Sequence, residues 1–369
     1  MTKIRAALLT RIGGPLEYVD DVEIGDPGPG EVRVAVHSCG LCHSDVSQVD
    51  GVHPVGLPVI LGHEAAGVVI EVGVGVMSLQ EGDHVVLSPV SSCGRCAYCL
   101  RGEFQICVNS LAIAMAMHPD GTTRLSRGGE IVYRGVGLAA MAEQVIVAES
   151  GAVKVPSEVP LDVACVIGCA VQTGVGAAIN TAKVAPGDTV LVMGAGGIGV
   201  SIVQGAKVAG ASRIIVSDPI EERREWAMSF GATDVVDPTV DDVATRCRSL
   251  TEIGVDHAFD AVGHSALVEC GINATRSGGT TVMVGAAPID HMASVSLVGA
   301  MYGEKKLVGS LLGGCWAPRD IPKLVELWQQ GQIDVDSMVT ARRPLAEVNE
   351  AIADMKAGRG IRTVLRIAE

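Results

Sequence analysis

The sequence predicts an α/β chain: a β-rich first part, then a doubly wound parallel sheet, then a short return. Three observations carry this. Short β-branched runs broken by Gly and Pro fill the first ~170 residues. Strand and helix patterns alternate after Thr173. A glycine-rich turn, Gly194–Gly199, joins the first buried strand of that second region to its first helix.

In the first region, Val32–Val36, Ala66–Val72 and Asp83–Leu87 read as strands, and Asp26-Pro27-Gly28-Pro29-Gly30 as a turn. In the second, Asp188–Met193 is a buried-strand run, and Ile198–Ala209 carries small and apolar residues at helical spacing. Arg213–Ser217, Glu221–Phe230 and Asp234–Val236 then read as strand, helix and strand, and His257–Asp260 and Thr280–Val284 continue the alternation. Such βαβ units imply a parallel sheet covered on both faces. Two helical patterns, Ile321–Gln330 and Leu345–Met355, and a strand, Arg362–Ile367, close the chain.

Composition narrows the function. The 369 residues are 48% hydrophobic and 19% charged, which excludes intrinsic disorder. A net charge of −14 argues against nucleic acid or an anionic membrane as the main partner. Mean hydropathy is high, at +0.37. Yet no run of 18 apolar residues is present, and Met1–Thr10 is too short and too interrupted for a signal peptide. The expectation is a soluble, cytoplasmic protein, whose clustered cysteines bind metal rather than form disulfides.

Four cysteines, Cys93, Cys96, Cys99 and Cys107, have the spacing of a closed tetrahedral zinc site, with an iron–sulfur cluster as the competing reading. Four thiolates leave no position for substrate, so this site is structural. Cys42, His63 and Cys169 form a sparser set, a three-ligand pattern with a fourth position open. Taken singly, each is more simply a buried Cys or an ordinary His. The turn Gly194-Ala195-Gly196-Gly197-Ile198-Gly199 follows a strand and opens a helix, the context of a dinucleotide site. Asp218, at the end of the next strand, is placed to accept hydrogen bonds from an adenosine ribose, which favours NAD over NADP.

At this point the chain resembles the zinc-dependent alcohol dehydrogenases of the medium-chain dehydrogenase/reductase superfamily, over essentially its whole length. The resemblance rests on the sequences at 40–45 (GLCHSD), 62–67 (GHEAAG), 167–169 (IGC), 194–199 and 360–365 (GIRTVL), and on the four-cysteine lobe. It implies a GroES-like β catalytic domain at 1–171, with the lobe at about 90–110, a Rossmann coenzyme domain at 172–311, and a return to the catalytic domain at 312–369. It implies two zinc ions per chain and NAD. Cys42, His63 and Cys169 match the catalytic ligands; Asp45 matches the carboxylate orienting His63, Glu64 the acid behind the metal, and Ser44 the hydroxyl that takes the substrate proton. His43, Arg223 and Arg362 match contacts to coenzyme phosphate or ribose, and Thr173 and Val284 contacts to the nicotinamide. Zinc then acts as a Lewis acid while hydride leaves the alcohol carbon for the nicotinamide.

Polyol dehydrogenases and thiol-adduct formaldehyde dehydrogenases are rival enzymes of the same superfamily. The glutathione-dependent members carry an Arg shortly after the last structural cysteine, where this chain has Val108-Asn109-Ser110-Leu111. A non-enzymatic binding protein on the same fold would show lost ligands or a degraded turn, and all seven ligands and all the glycines are present. The long Cys107–Cys169 segment matches the dimeric members, so a homodimer is expected. Close relatives end their proton path on a His where this chain has Ser47, so the relay is expected through Ser44, the ribose and solvent; His53 is the nearby histidine that could substitute, with a plain surface histidine the simpler reading. The Met115–Met117 stretch suggests an adaptable apolar pocket, although Met is more often core filling.

Overall fold

The computed structural model describes residues 2–367. It divides into two compact units. Among the described residues, one holds 2–169, 316–327 and 335–367, and the other 170–315 and 328–334. The sequence suggested one unbroken return; instead, residues 328–334 fall with the second unit.

The first unit is built from two sheets. In one, Glu31–Gly40 pairs antiparallel with Glu64–Val72 and Gln144–Ala148, and with the late strand Arg362–Arg366. In the other, Thr2–Leu9 lies between Glu17–Ile24 and Val59–Ile60. Ile4, Leu8, Val22, Val34, Ile60 and Val69 fill one shared core, as two sheets packed face to face require. The register decides the site. Gly40 faces both Glu64 and Val364, so residues from opposite ends of the sequence meet across three strands.

The second unit carries six parallel strands: β1 (Thr189–Met193), β2 (Arg213–Ser217), β3 (Asp234–Val236), β4 (Val255–Asp260), β5 (Thr275–Met283) and β6 (Lys306–Gly309). Their order is 3-2-1-4-5-6, the doubly wound arrangement with a switch point beside β1. Val190, Leu191, Val192, Ile215, Val216 and Phe259 are fully buried, because a parallel sheet is covered on both faces. Helices α1 (Gly197–Val208), α2 (Glu221–Phe230), α3 (Val243–Thr251) and α4 (Ser265–Ala274) connect the strands. β4 and β5 are longer at their N-terminal ends than the sequence pattern suggested, because Val255 and Thr275 extend the ladder. Among the described residues, no single helix is long and apolar enough to cross a membrane.

Candidate metal centres and dinucleotide turn

Cys42 ends the excursion from the long strand Glu31–Gly40 and caps the helix His43–Val49. Asp45, in that helix's first turn, reaches back to accept the Cys42 backbone N–H at 3.1 Å, a capping-box bond. Its other oxygen accepts the Gly62 N–H at 2.9 Å and lies 3.1 Å from His63 Nδ1. Asp45 is therefore fixed, and it aims the His63 ring with Nε2 turned away from it. This is how a metal-binding imidazole is held. Cys169 sits in a kink, φ −139° and ψ −70°, just before the helix Ala170–Gly176.

The donor atoms of Cys42, His63, Glu64 and Cys169 lie within 4.8 Å of one another, and all four residues are buried. Neither carboxylate oxygen of Glu64 has a hydrogen-bond partner; its nearest countercharge is Arg362, 3.4 Å away and itself buried. Buried polar atoms are rarely left so. Two thiols, an imidazole and an orphaned carboxylate fit a borderline-soft divalent ion such as zinc. The electrostatics agree. Bonding from Cys169, then His63, outweighs burial and holds the Cys42 thiol well below its ordinary value, while the same bond and burial push Cys169 well above it. Burial pulls the His63 imidazolium down, but the charges of Asp45 and Cys42 outweigh it. Burial, opposed by Arg362, raises the Glu64 carboxyl to about 8.

The four-cysteine lobe is a second donor set, also within 4.8 Å. Cys96 Sγ is 3.6 Å from Cys99 Sγ and 3.8 Å from Cys107 Sγ. Four sulfurs at 2.3 Å around one tetrahedral ion stand about 3.8 Å apart. The Cys107 sulfur also accepts the Cys93 backbone N–H at 3.2 Å.

The glycine turn shows why each glycine is there. Gly194 has φ +93°, open to glycine. A Cβ on Gly199 would stand 1.8 Å from the Gly194 carbonyl oxygen, so only glycine lets α1 pack so close to β1. A Cβ on Gly196 would meet nothing within 4 Å, which leaves an open approach to its backbone. Gly197 and Ile198 begin α1, with Gly196 as its cap. Asp218 follows β2, and its carboxylate accepts the N–H groups of Ala195 at 2.8 Å and Ile220 at 2.9 Å. It thus braces the turn.

Other expected residues fall into place separately. His43 is exposed at the start of its helix, and Ser44 is half-buried with Oγ 3.9 Å from Cys42 Sγ. Thr173 is buried in the helix Ala170–Gly176. Val284 follows β5 and donates its N–H to the Asp260 carbonyl at 3.0 Å. Arg223 is on α2, but its neighbour Arg224 is the residue that bonds the Asp218 carbonyl, at 2.7 Å. Arg362, matched by resemblance to a coenzyme phosphate or ribose contact, lies 3.4 Å from Glu64, beside the metal-donor group. Sequence reasoning missed Asp260. Its buried carboxylate accepts the N–H groups of Val262, Gly263 and His264, and so fixes the loop whose Val262 packs over Gly194. An acid ending an apolar strand was the available signal.

Comparison with known proteins accords with this geometry. A family profile described as "Alcohol dehydrogenase GroES-like domain" matches residues 28–157, and one described as "Zinc-binding dehydrogenase" matches 197–330. An S-(hydroxymethyl)glutathione dehydrogenase of Synechocystis sp. is 38% identical over 368 residues, covering 98% of this chain and 99% of that one. One from Escherichia coli O1:K1 is 38% identical over 369 residues, covering 99% and 100%. Among solved structures, an alcohol dehydrogenase zinc-binding domain protein of Burkholderia ambifaria superposes with TM-score 0.95 at 35% identity. Benzyl alcohol dehydrogenase of Acinetobacter calcoaceticus superposes with TM-score 0.95 at 32% identity; both cover 100% of each chain. Fold and donor sets define a two-unit zinc oxidoreductase acting on CH–OH groups. The chain belongs to the zinc-binding alcohol dehydrogenases of the medium-chain dehydrogenase/reductase superfamily.

Proposed function

We propose that the chain is an NAD-dependent alcohol dehydrogenase with two zinc ions. Cys42, His63 and Cys169 would hold the catalytic ion with Glu64 behind it, and Cys93, Cys96, Cys99 and Cys107 the structural one. The observation that carries the reading is the buried convergence of Cys42, His63, Glu64 and Cys169, with His63 aimed by Asp45. Zinc supplies a Lewis acid for the substrate oxygen, and NAD a hydride acceptor. The chain's own residues do the rest. Asp45 keeps the His63 proton on Nδ1. Ser44 Oγ, beside Cys42, receives the hydroxyl proton of the alcohol and passes it towards solvent. The open backbone of Gly196 and the N-terminus of α1 bind the pyrophosphate. Asp218 keeps one lone pair on each oxygen for ribose hydroxyls and repels a 2′-phosphate.

A free alcohol is favoured over a glutathione adduct. The stretch after Cys107 has no basic residue, and Val108, Leu111 and Met115 present apolar surface there. The adduct remains the second reading because relatives at 38% identity bear that name. The test is absorbance at 340 nm with NAD and NADP across a panel of free alcohols and S-(hydroxymethyl)glutathione, in protein of measured zinc content. The expected result is higher kcat/KM with NAD and with free alcohols. No turnover across the panel in zinc-loaded protein would refute the enzyme reading, and preference for the adduct would select the second.

A homodimer is the favoured assembly. β6 is an edge strand with one paired side, and Leu297, Val298, Met301 and Tyr302 are exposed on the helix preceding it. An unpaired edge beside an apolar face is a surface that a second copy would cover. None of the eleven cysteines is in a disulfide, which suits the reducing cytoplasm.

A further inference from the structure

Trp316 is gripped by two parts of the four-cysteine lobe. Its indole stacks on Phe104, with centroids 4.4 Å apart and planes at 17°. Its Nε1 donates to Ser92 Oγ at 3.2 Å. Phe104 lies between Cys99 and Cys107, and Ser92 directly precedes Cys93. Trp316 also starts the helix Ala317–Gln329. Its carbonyl accepts the N–H groups of Arg319 and Asp320 at 2.9 Å, and its own N–H donates to Asp320 Oδ2 at 2.8 Å. The chain has three Phe and three Trp, so this contact uses two of its six largest hydrophobic rings.

Within 93–107 only Cys99 and Cys107 are buried, so burial does little to order the lobe. Cys99–Arg101, Phe104–Ile106 and Val108–Ser110 are single 3₁₀ turns, and Leu100, Ile106 and Val108 are exposed. What draws four thiolates together must therefore place Phe104. Beyond the helix, Asp334 exchanges two hydrogen bonds with Gln204 of α1, the helix that opens at the glycine turn.

We propose that the lobe's metal positions the helix Ala317–Gln329 through Phe104 and Trp316, making Trp316 a positioning residue through which metal occupancy supports coenzyme affinity. This rests on the lobe holding zinc, as proposed above. The grip is aromatic stacking and one hydrogen bond, so its loss is graded rather than all-or-none.

The experiment uses the full-length protein carrying Trp226→Phe and Trp328→Phe, which leaves Trp316 as the single indole. Adding Cys96→Ser is expected to remove one zinc per chain, shift Trp316 emission to longer wavelength and raise its quenching by acrylamide, with far-ultraviolet circular dichroism unchanged. In the otherwise native chain, Phe104→Leu is expected to keep both ions but lose the lobe zinc to a chelator about fivefold faster, the size of one aromatic stack. It also raises the KM for NAD with kcat held within about twofold. Zinc loss with unchanged Trp316 emission, or wild-type release from Phe104→Leu, overturns the proposal. Unchanged zinc content in Cys96→Ser would instead overturn the lobe-metal reading beneath it. Where Cys96→Ser fails to fold, the release rate and KM of Phe104→Leu decide alone.

Discussion

Two alanine substitutions in one turn separate packing from coenzyme binding. At Gly199 the new Cβ would stand 1.8 Å from the Gly194 carbonyl oxygen, against a practical limit of 3.0 Å, so α1 and β1 must part by about 1.2 Å. The atom met is backbone, which cannot rotate away. The cost therefore sits at the upper end for overpacking, about 3 kcal/mol. For a cooperative unit of this size that lowers Tm by roughly 6–12 °C. At Gly196 the new Cβ meets nothing within 4 Å, and the loss is a helix-cap preference of about 1 kcal/mol or less. That same methyl occupies the approach a pyrophosphate needs, so NAD affinity is expected to fall more than about tenfold with Tm nearly unchanged. Differential scanning fluorimetry gives the first quantity and isothermal calorimetry with NAD the second. Wild-type NAD affinity in Gly196→Ala would refute the cradle; a wild-type Tm in Gly199→Ala would refute the packing argument.

The remaining expectations concern the metals, the proton and acid stability. Cys42→Ala loses activity and one zinc but keeps its Tm, whereas Cys96→Ala loses the other zinc and much of its Tm, because a structural ion contributes folding energy; equal Tm values would show the two sites to be misassigned. Ser44→Ala lowers kcat by about 10²-fold or more while His53→Ala stays near wild type, and Ser47→His gains rate at low pH; equal losses at Ser44 and His53 would put His53 in the proton path. His118, buried beside Glu31, is pushed down to about 2 by burial and then by Arg134 and Arg124. The unfolded chain binds that proton near pH 6.5 and the folded chain does not, so stability is complete above about 6.5 and falls with acid by up to ~1.4 kcal/mol per pH unit. Thermal melts from pH 7 to 5 check this: His118→Gln is expected to flatten the slope, and an equal slope would exclude His118 as its source.

What was legible in the sequence was local. The strand, glycine turn and helix around 189–208 are written in one stretch, and the four lobe cysteines lie within fifteen residues. The parallel, doubly wound sheet followed from βαβ alternation, because such crossovers have few solutions; the order 3-2-1-4-5-6 is read from the structure. What was not legible depends on pairing across sequence distance. The pairing of Arg362 with Glu64 comes only from the register Val364–Gly40–Glu64, which joins strands from opposite ends of the sequence. The Phe104–Trp316 stack and the Gln204–Asp334 clamp carry no spacing signal at all. Asp260 was hidden because a strand-terminal acid reads as an ordinary strand end until its three backbone partners are seen.

The strand Arg362–Arg366 completes the wall behind Glu64, yet it leaves the ribosome after every other element described above. At roughly 5–20 residues per second, the thiols of Cys42 and Cys169 exist for many seconds before that wall can form. During synthesis, Glu64 waits without its guanidinium, and the edge of Glu31–Gly40 that later receives this strand is bare. Until Arg362–Arg366 emerges, the nascent chain carries a bare strand edge and an uncompensated Glu64, the interval in which it is most exposed to stray metals and to edge-to-edge association.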